Sequence, residues 1–354
     1  MRKTRILAII IGLGATTAAF CQAPAGQRTG PGVQSPQDAK YADLIKTCKV
    51  PPPAGRGGGG GAKGKGPAAA AAPGPRDYKI TEIPGVISAG QMWKEVWQVD
   101  GNNADGIIAT KDGGILIAQN DNSAVIKLDK NGKTSVAYSG TNTGGSVAMS
   151  SKGALFVNNR GLNQSIDQLV PMRKMFVNKI SGDPLDCIGG VLNDLTADSK
   201  GGVYFTMGGL YYADPKGEVH KYGENLNTNG IVLSADEKRL FVTNGTTVAV
   251  FDVQKDGSLT NQREFGKLEG GGGGDGSTFD TAGRLYVTTN PGIQVLSPEG
   301  KYLGLIPTPR GVISVAFSGP DRKTLYAVSR DNAQNKDWII AIQTIAQGPK
   351  GRGK

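Results

Sequence analysis

From about residue 77 onward, apolar and polar positions alternate in short runs closed by Gly, Asp or Asn. This is the spacing of half-buried β-strands joined by tight turns, not of amphipathic helices. The runs recur as a phrase: a polar residue or Gly, an alternating strand, a Gly or Asp turn, and a second strand rich in aromatic and β-branched residues. The phrase opens six times, at Asp105 (DGIIATKDGGILIAQ), Gly145 (GSVAMSSKGALFVNN), Asn193 (NDLTADSKGGVYFTM), Asn229 (NGIVLSADEKRLFVTN), Asp275 (DGSTFDTAGRLYVTT) and Gly311 (GVISVAFSGPDRKTLYAVS). Successive openings lie 40, 48, 36, 46 and 36 residues apart. Each interval holds about four short strands, the content of one propeller blade of ~40–50 residues. With no long amphipathic helix to supply crossovers, the pattern predicts an all-β fold, a six-bladed β-propeller of four-stranded antiparallel blades around a central channel, over residues 77–347. The last repeat shows only three strands, so the fourth is expected from before blade one, around Trp93 to Val99, where it closes the ring and hides the edges of a linear array.

The flanks read differently. Residues 1–25 have a basic start (Arg2, Lys3, Arg5), an apolar run from Ile6 to Phe20 and an Ala23-Pro24-Ala25 cleavage pattern, which together predict a signal peptide. The run is too short and too glycine-bearing for a membrane span. Export places the mature protein in the periplasm or outside the cell. Residues 26–76 turn to Gly, Pro, Ala and Lys and are expected to form a disordered linker, within which Asp38 to Cys48 has weak helical spacing and is a candidate for docking. Residues 348–354 form a basic tail.

Charge follows the same division. The formal charge is +10, yet residues 80–347 carry 25 Lys and Arg against 27 Asp and Glu, so the excess lies in leader and tail. A near-neutral body argues against nucleic acid as the partner. Beyond the signal, Cys48 and Cys187 remain, and either one disulfide or two free thiols fits the sequence.

Because the innermost strand of each blade runs beside the channel, the six opening residues converge at one rim. They read Asp, Gly, Asn, Asn, Asp, Gly. Four oxygen-bearing side chains facing one axis suit a hard cation such as Ca²⁺. Read singly, Asp-Gly and Asn-Gly pairs are equally turn formers.

The segments Asn193 to Met207, Asn229 to Val242, Asp275 to Val287 and Val315 to Tyr326 (VAFSGPDRKTLY) resemble, in order and in register with the blades, the SMP-30/gluconolactonase/luciferin-regenerating family. The resemblance covers roughly residues 100–330. It implies a six-bladed propeller with one axial divalent cation, usually calcium, and hydrolysis of lactones or related esters. Carried over by position, it implies metal-ligand roles for Asn229 and Asp275 and a metal or substrate contact for Asn193. Asp105 stands where the family usually has Glu. The Arg that many sugar-lactone hydrolases carry two residues before the blade-three Asn is Val191 here, which points away from an aldonolactone.

These readings lead to metal-assisted hydrolysis with Asp275 as base or nucleophile, the metal held by Asp105, Asn193, Asn229 and Asp275, and Arg310 as a possible substrate contact. The single histidine, His220, excludes histidine dyads, Ser-His-Asp triads and HExxH zinc sites, and is expected on an outer strand of blade three. Asn120, Asn122 and Asn158 to Arg160 are expected to cap turns. A small-molecule lactone or ester and a monomeric state are expected. The alternative from another class is a non-catalytic propeller that holds a peptide, glycan or cell-wall fragment over a structural calcium.

Overall fold

The computed structural model describes residues 32–52, 75–270 and 272–351. The expected signal peptide, most of the expected linker and the last three residues of the tail lie outside the described residues.

Six four-stranded antiparallel sheets stand in chain order around an axis. Blade one is built from Ile107–Ala109, Ile115–Gln119, Ala124–Leu128 and Thr134–Ser139, and the later blades repeat that order outward from the channel. Blade six takes Val312–Ser318, Thr324–Asp331 and Lys336–Gln343 from the end of the chain, and its outermost strand is Lys94–Asp100, paired antiparallel with Lys336–Gln343. The expected seam is thus present, with N-terminal residues finishing the last blade.

Burial explains why the sheets form a ring. Inner strands such as Ile107–Ala109, Leu195–Ala197 and Ser277–Phe279 are buried along their whole length, whereas outer strands such as Val219–Tyr222 are half-buried to exposed throughout. The apolar faces meet in six clusters, each spanning two neighbouring blades. Ile107, Ile115 and Ile117 of blade one pack against Ala316, Val328 and Ile339 of blade six, and that cluster closes the circle. Ile80, Ile83, Val86 and Ile87, ahead of the seam strand, join the cluster between blades five and six.

Two departures from the repeat matter for the site. The 48-residue interval between blades two and three is the longest because it carries an extra hairpin, Lys179–Ile180 with Asp183–Pro184, and a short 3-10 turn, Leu185–Ile188. Residues 32–52 fall inside the stretch read as a disordered linker, and they are instead built onto the propeller. They form a 3-10 turn, Ser35–Gln37, and a short helix, Tyr41–Ile45, and end at a disulfide between Cys48 and Cys187.

Candidate functional site

Local packing brings the blade openings to the channel. The backbone N–H groups of Asp105, Asn193 and Asp275 donate to the carbonyls of Ala118, Thr206 and Thr288, at 3.1, 2.9 and 2.9 Å, so equivalent residues are fixed in the same way in three blades. The glycines after the openings are not turn residues. A Cβ on Gly230 would sit 2.1 Å from the Asp275 carbonyl oxygen, one on Gly276 would sit 2.8 Å from the Ile313 carbonyl oxygen, and one on Gly106 would sit 2.7 Å from Ser146 Cα. Blade-to-blade approach at the axis therefore explains the Asp-Gly and Asn-Gly pairs better than their turn propensity does.

Asp105, Asn193, Asn229 and Asp275 line one cavity of about 560 Å³. All four are half-buried in otherwise buried surroundings. The Asn193 side-chain amide donates to Asn229 Oδ1 at 2.6 Å. Asp275 opens onto this cavity and onto an adjoining one of about 510 Å³, which also shares Asn229 and Arg330.

Asp105 stands apart from the other three. Its Oδ2 accepts from Arg160 Nη1 at 2.6 Å and from Asn120 Nδ2 at 2.9 Å. Burial alone would raise its pKa, but the Arg160 and Arg330 guanidiniums and the Asn120 amide outweigh that and hold the carboxyl below its ordinary range. A carboxylate already closed on a guanidinium is a poor cation ligand. The carboxylate and amide oxygens of Asn193, Asn229 and Asp275 are donors of the kind a hard divalent cation takes, and Asp105, with its Oδ2 held by Arg160 and Asn120, is the weaker candidate.

Two arginines dominate the electrostatics, and sequence reasoning assigned neither to the mouth. Arg160, expected to cap a turn, turns its guanidinium inward from the end of a blade-two strand. Nε donates to the Leu192 carbonyl at 2.7 Å and Nη2 to the Asn193 carbonyl at 2.6 Å, so one side chain ties Asp105 to the backbone that carries Asn193. Gly145 opens blade two as glycine because any Cβ there would lie 1.8 Å from Arg160 Cζ. Arg330, at the equivalent strand end in blade six, bonds Asp337 at 2.8 Å and the Ala104 carbonyl at 3.1 Å. Burial disfavours its charge, yet Asp337, Asp105 and Asp275 more than compensate and keep it firmly protonated.

Asn120 and Asn158 likewise face the channel and do not cap turns. Asn158 Oδ1 accepts from the amides of Gly145 and Ser146 at 2.9 and 2.7 Å, and its Nδ2 donates to the Asn193 carbonyl at 2.7 Å. Asp194, buried beside Asn193, links three blades by accepting from Ser146 Oγ at 2.6 Å and from the Ile231 amide at 3.0 Å. A polar residue ending the second strand of a blade was the available signal for this inner ring.

Arg310 lines the adjoining cavity, but its guanidinium stacks 4.0 Å from the Trp338 ring centroid and pairs with Glu95 at 2.8 Å. It acts as a wall of that cavity. His220 lies on the outermost strand of blade three, beside Asp214 and Glu218 of the turn that leads into it, away from the mouth.

Residues 144–331 match the sequence model of the SMP-30/Gluconolactonase/LRE-like region. The chain is 31% identical over 185 residues to Lactonase drp35 of Staphylococcus epidermidis, an alignment covering 47% of this chain and 50% of that protein. It is 26% identical over 214 residues to the Gluconolactonase of Zymomonas mobilis, covering 52% and 57%. The chain thus spans about half the length of these curated relatives. Among solved structures, a gluconolactonase of Xanthomonas campestris superposes with a TM-score of 0.64 at 19% identity, over 78% of this chain and 99% of that one, a likeness of fold.

Proposed function

The chain belongs to the SMP-30/Gluconolactonase/LRE-like family, and from that premise we propose that it hydrolyses a lactone or a related ester at the channel mouth. The observation that carries this reading is the convergence of Asn193, Asn229 and Asp275 on one cavity, with Asp275 lining both halves of the mouth. Relatives named lactonase and gluconolactonase support a small cyclic ester as substrate.

A divalent cation, in our reading calcium, belongs with Asn229 and Asp275, and with Asn193 beside them. Bound there, it would polarise the substrate carbonyl and lower the pKa of a coordinated water. The chain's own groups do the rest. Asp275 accepts the proton of the attacking water and returns it to the leaving alkoxide as the ring opens. Asn193 and Asn229 orient the substrate carbonyl. Arg160 positions the Asn193 backbone through its carbonyl and withholds Asp105 from the reaction. Arg330 supplies fixed positive charge near the place where the acid product forms.

Activity outside the cytoplasm is part of the proposal. It is supported by the basic and apolar leader and by a disulfide of the kind that persists in oxidising compartments.

The test is a lactone and aryl-ester panel with and without Ca²⁺. Asp275→Asn is expected to lower turnover by about 10²–10⁴-fold, the worth of a positioned general base, with little change in Tm. Saturating Ca²⁺ at ~100-fold over its dissociation constant is expected to stabilise the parent by about 2.7 kcal/mol, and Asn229→Ala to lose that shift. Full turnover by Asp275→Asn on every substrate of the parent would overturn the assignment.

A further inference from the structure

The segment from Gly32 to Cys48 reaches the mouth on the side opposite Arg310, and it is held there at several independent points. The Gly32 amide donates to Asp121 Oδ1 at 2.9 Å, and the Ser35 amide donates to the carbonyl of Arg160 at 2.7 Å. The Ser35 hydroxyl bonds the carboxylate of Asp186, which also accepts from the Gln164 amide at 3.0 Å, and both Ser35 and Asp186 are wholly buried. Gly32 lies so close to the rim that a Cβ would meet the Asn120 carbonyl oxygen at 2.6 Å and Thr143 Cγ2 at 2.8 Å. The disulfide from Cys48 to Cys187 fixes the far end. Buried hydrogen bonds at one end and a covalent link at the other make this segment part of the wall.

That wall faces the reacting groups. Gly32, Gln34 and Gln37 line the same cavity as Asn193, Asn229 and Asp275. Among the described residues, neither glutamine carboxamide is hydrogen-bonded within the protein, so each presents an uncharged donor and acceptor to whatever occupies the cavity. Three cations among the described residues line the cavity and each already has partners: Arg160 holds Asp105, Asn120, Leu192 and Asn193, Arg330 holds Asp337 and Asn102, and Lys336 lies 3.6 Å from Asp100. Two body carboxylates that hold the strap, Asp121 and Asp186, are engaged with its backbone amide and its serine. A charged substituent would have to compete with these existing ion pairs, whereas a hydroxyl or an amide would find matching partners in the two carboxamides.

We propose that residues 32–37 form a substrate subsite in which Gln34 and Gln37 receive a neutral hydrogen-bonding substituent, a hydroxyl or an amide, carried by the ring distal to its reacting carbonyl. The proposal rests on the hydrolytic reading for the reaction, and it adds which substrates within that class are preferred. Val191 and Leu192 line the same cavity and supply its apolar surface, so selectivity on this side falls to the strap.

The test compares two lactones with the same ring, γ-butyrolactone and N-acetylhomoserine lactone, which differ by a neutral amide substituent. For the parent, kcat/KM is expected to favour the amide-bearing ring. In the Gln34→Ala/Gln37→Ala variant that preference should fall about tenfold, carried by KM, as expected when one or two uncharged hydrogen bonds to a ligand are lost. The Cys48→Ser/Cys187→Ser variant, which leaves the cavity side chains intact but frees the tether, should lose part of the same preference. Unchanged preference in both variants would overturn the subsite. If the parent opens neither ring, the hydrolytic reading is decided on the wider lactone and aryl-ester panel, and the subsite is read directly. Saturation-transfer NMR should then show N-acetylhomoserine lactone contacting the parent through its acetyl methyl, and loss of that contact in the glutamine variant supports the subsite. Equal transfer in both proteins, or none in either, overturns it.

Discussion

At the scale of single residues, Arg160 has the most contacts to lose. Its side chain is 7% exposed, and its guanidinium donates to one carboxylate, two side-chain amide oxygens and two backbone carbonyls. Arg160→Met is expected to destabilise the protein by about 3 kcal/mol, the lower end of the cost of stranding a buried charge, because Asp105 keeps some contact with water. Chemical denaturation measures this. Arg160→Lys should recover little of it, since one ammonium cannot span the fork that meets Asp105 and Asn193 together. The Asp105 carboxyl is held below its ordinary range in the fold. Its contribution to stability is therefore present above the unfolded value, about pH 3.9, and is lost as pH falls through the folded value. Unfolding curves of the parent should lose stability below about pH 4 more steeply than those of Asp105→Asn. The polar openings themselves could be read from sequence because each begins a repeated phrase. Arg160 could not. Its partner Asp105 lies 55 positions away in another blade, and a long side chain at a strand end carries no local sign of the direction it takes.

At the scale of elements, the inner strands are packed to the limit of backbone contact, and their glycines register it. Gly230→Ala places a methyl 2.1 Å from a neighbouring backbone oxygen, that of Asp275. Backbone on both sides cannot yield as a flexible side chain would, so a loss of about 3 kcal/mol is expected, with turnover falling because Asp275 itself is displaced. Gly311→Ala is the contrast. Its Cβ would meet only the tip of the Asn290 side chain, at 3.1 Å, and a change under about 1 kcal/mol is expected. Thermal melts of the two variants side by side, with lactone turnover, check both. Sequence reasoning recognised the Asp-Gly and Asn-Gly pairs and left their cause open, since the turn preference of glycine and its lack of a side chain give the same letter. Only the positions of neighbouring strands separate the two.

At the scale of the whole molecule, the ring depends on a strand borrowed from the start of the body. A chain beginning at Asn102 lacks Lys94–Asp100 and leaves Lys336–Gln343 as an unpaired edge, with the cluster around Ile80 and Trp93 also missing. Such a chain is expected to associate through that edge and to lose its cooperative melt, whereas one beginning at Asp77 should keep it. Size-exclusion chromatography and circular dichroism separate these outcomes. The seam was legible in sequence because the last repeat counts one strand short. The docked segment at residues 32–52 was legible only in part: Asp38 to Cys48 stood out as weakly helical and a candidate for docking, but its anchors are single long-range contacts such as Ser35 with Asp186, 151 positions apart, which no local pattern marks.

The disulfide adds a mechanical consequence. Lys94–Asp100, the strand that closes the ring, lies in sequence between Cys48 and Cys187. The shortest covalent path from the N-terminus into the propeller therefore runs through the sulfur atoms into the turn before blade three and bypasses the closing strand. A pull on the leader, from an attached surface or a translocating protease, is taken by the contacts of Gly32 and Ser35 and then by that turn, before it reaches the seam. The bridge works as a strain relief for the most easily peeled strand of the ring.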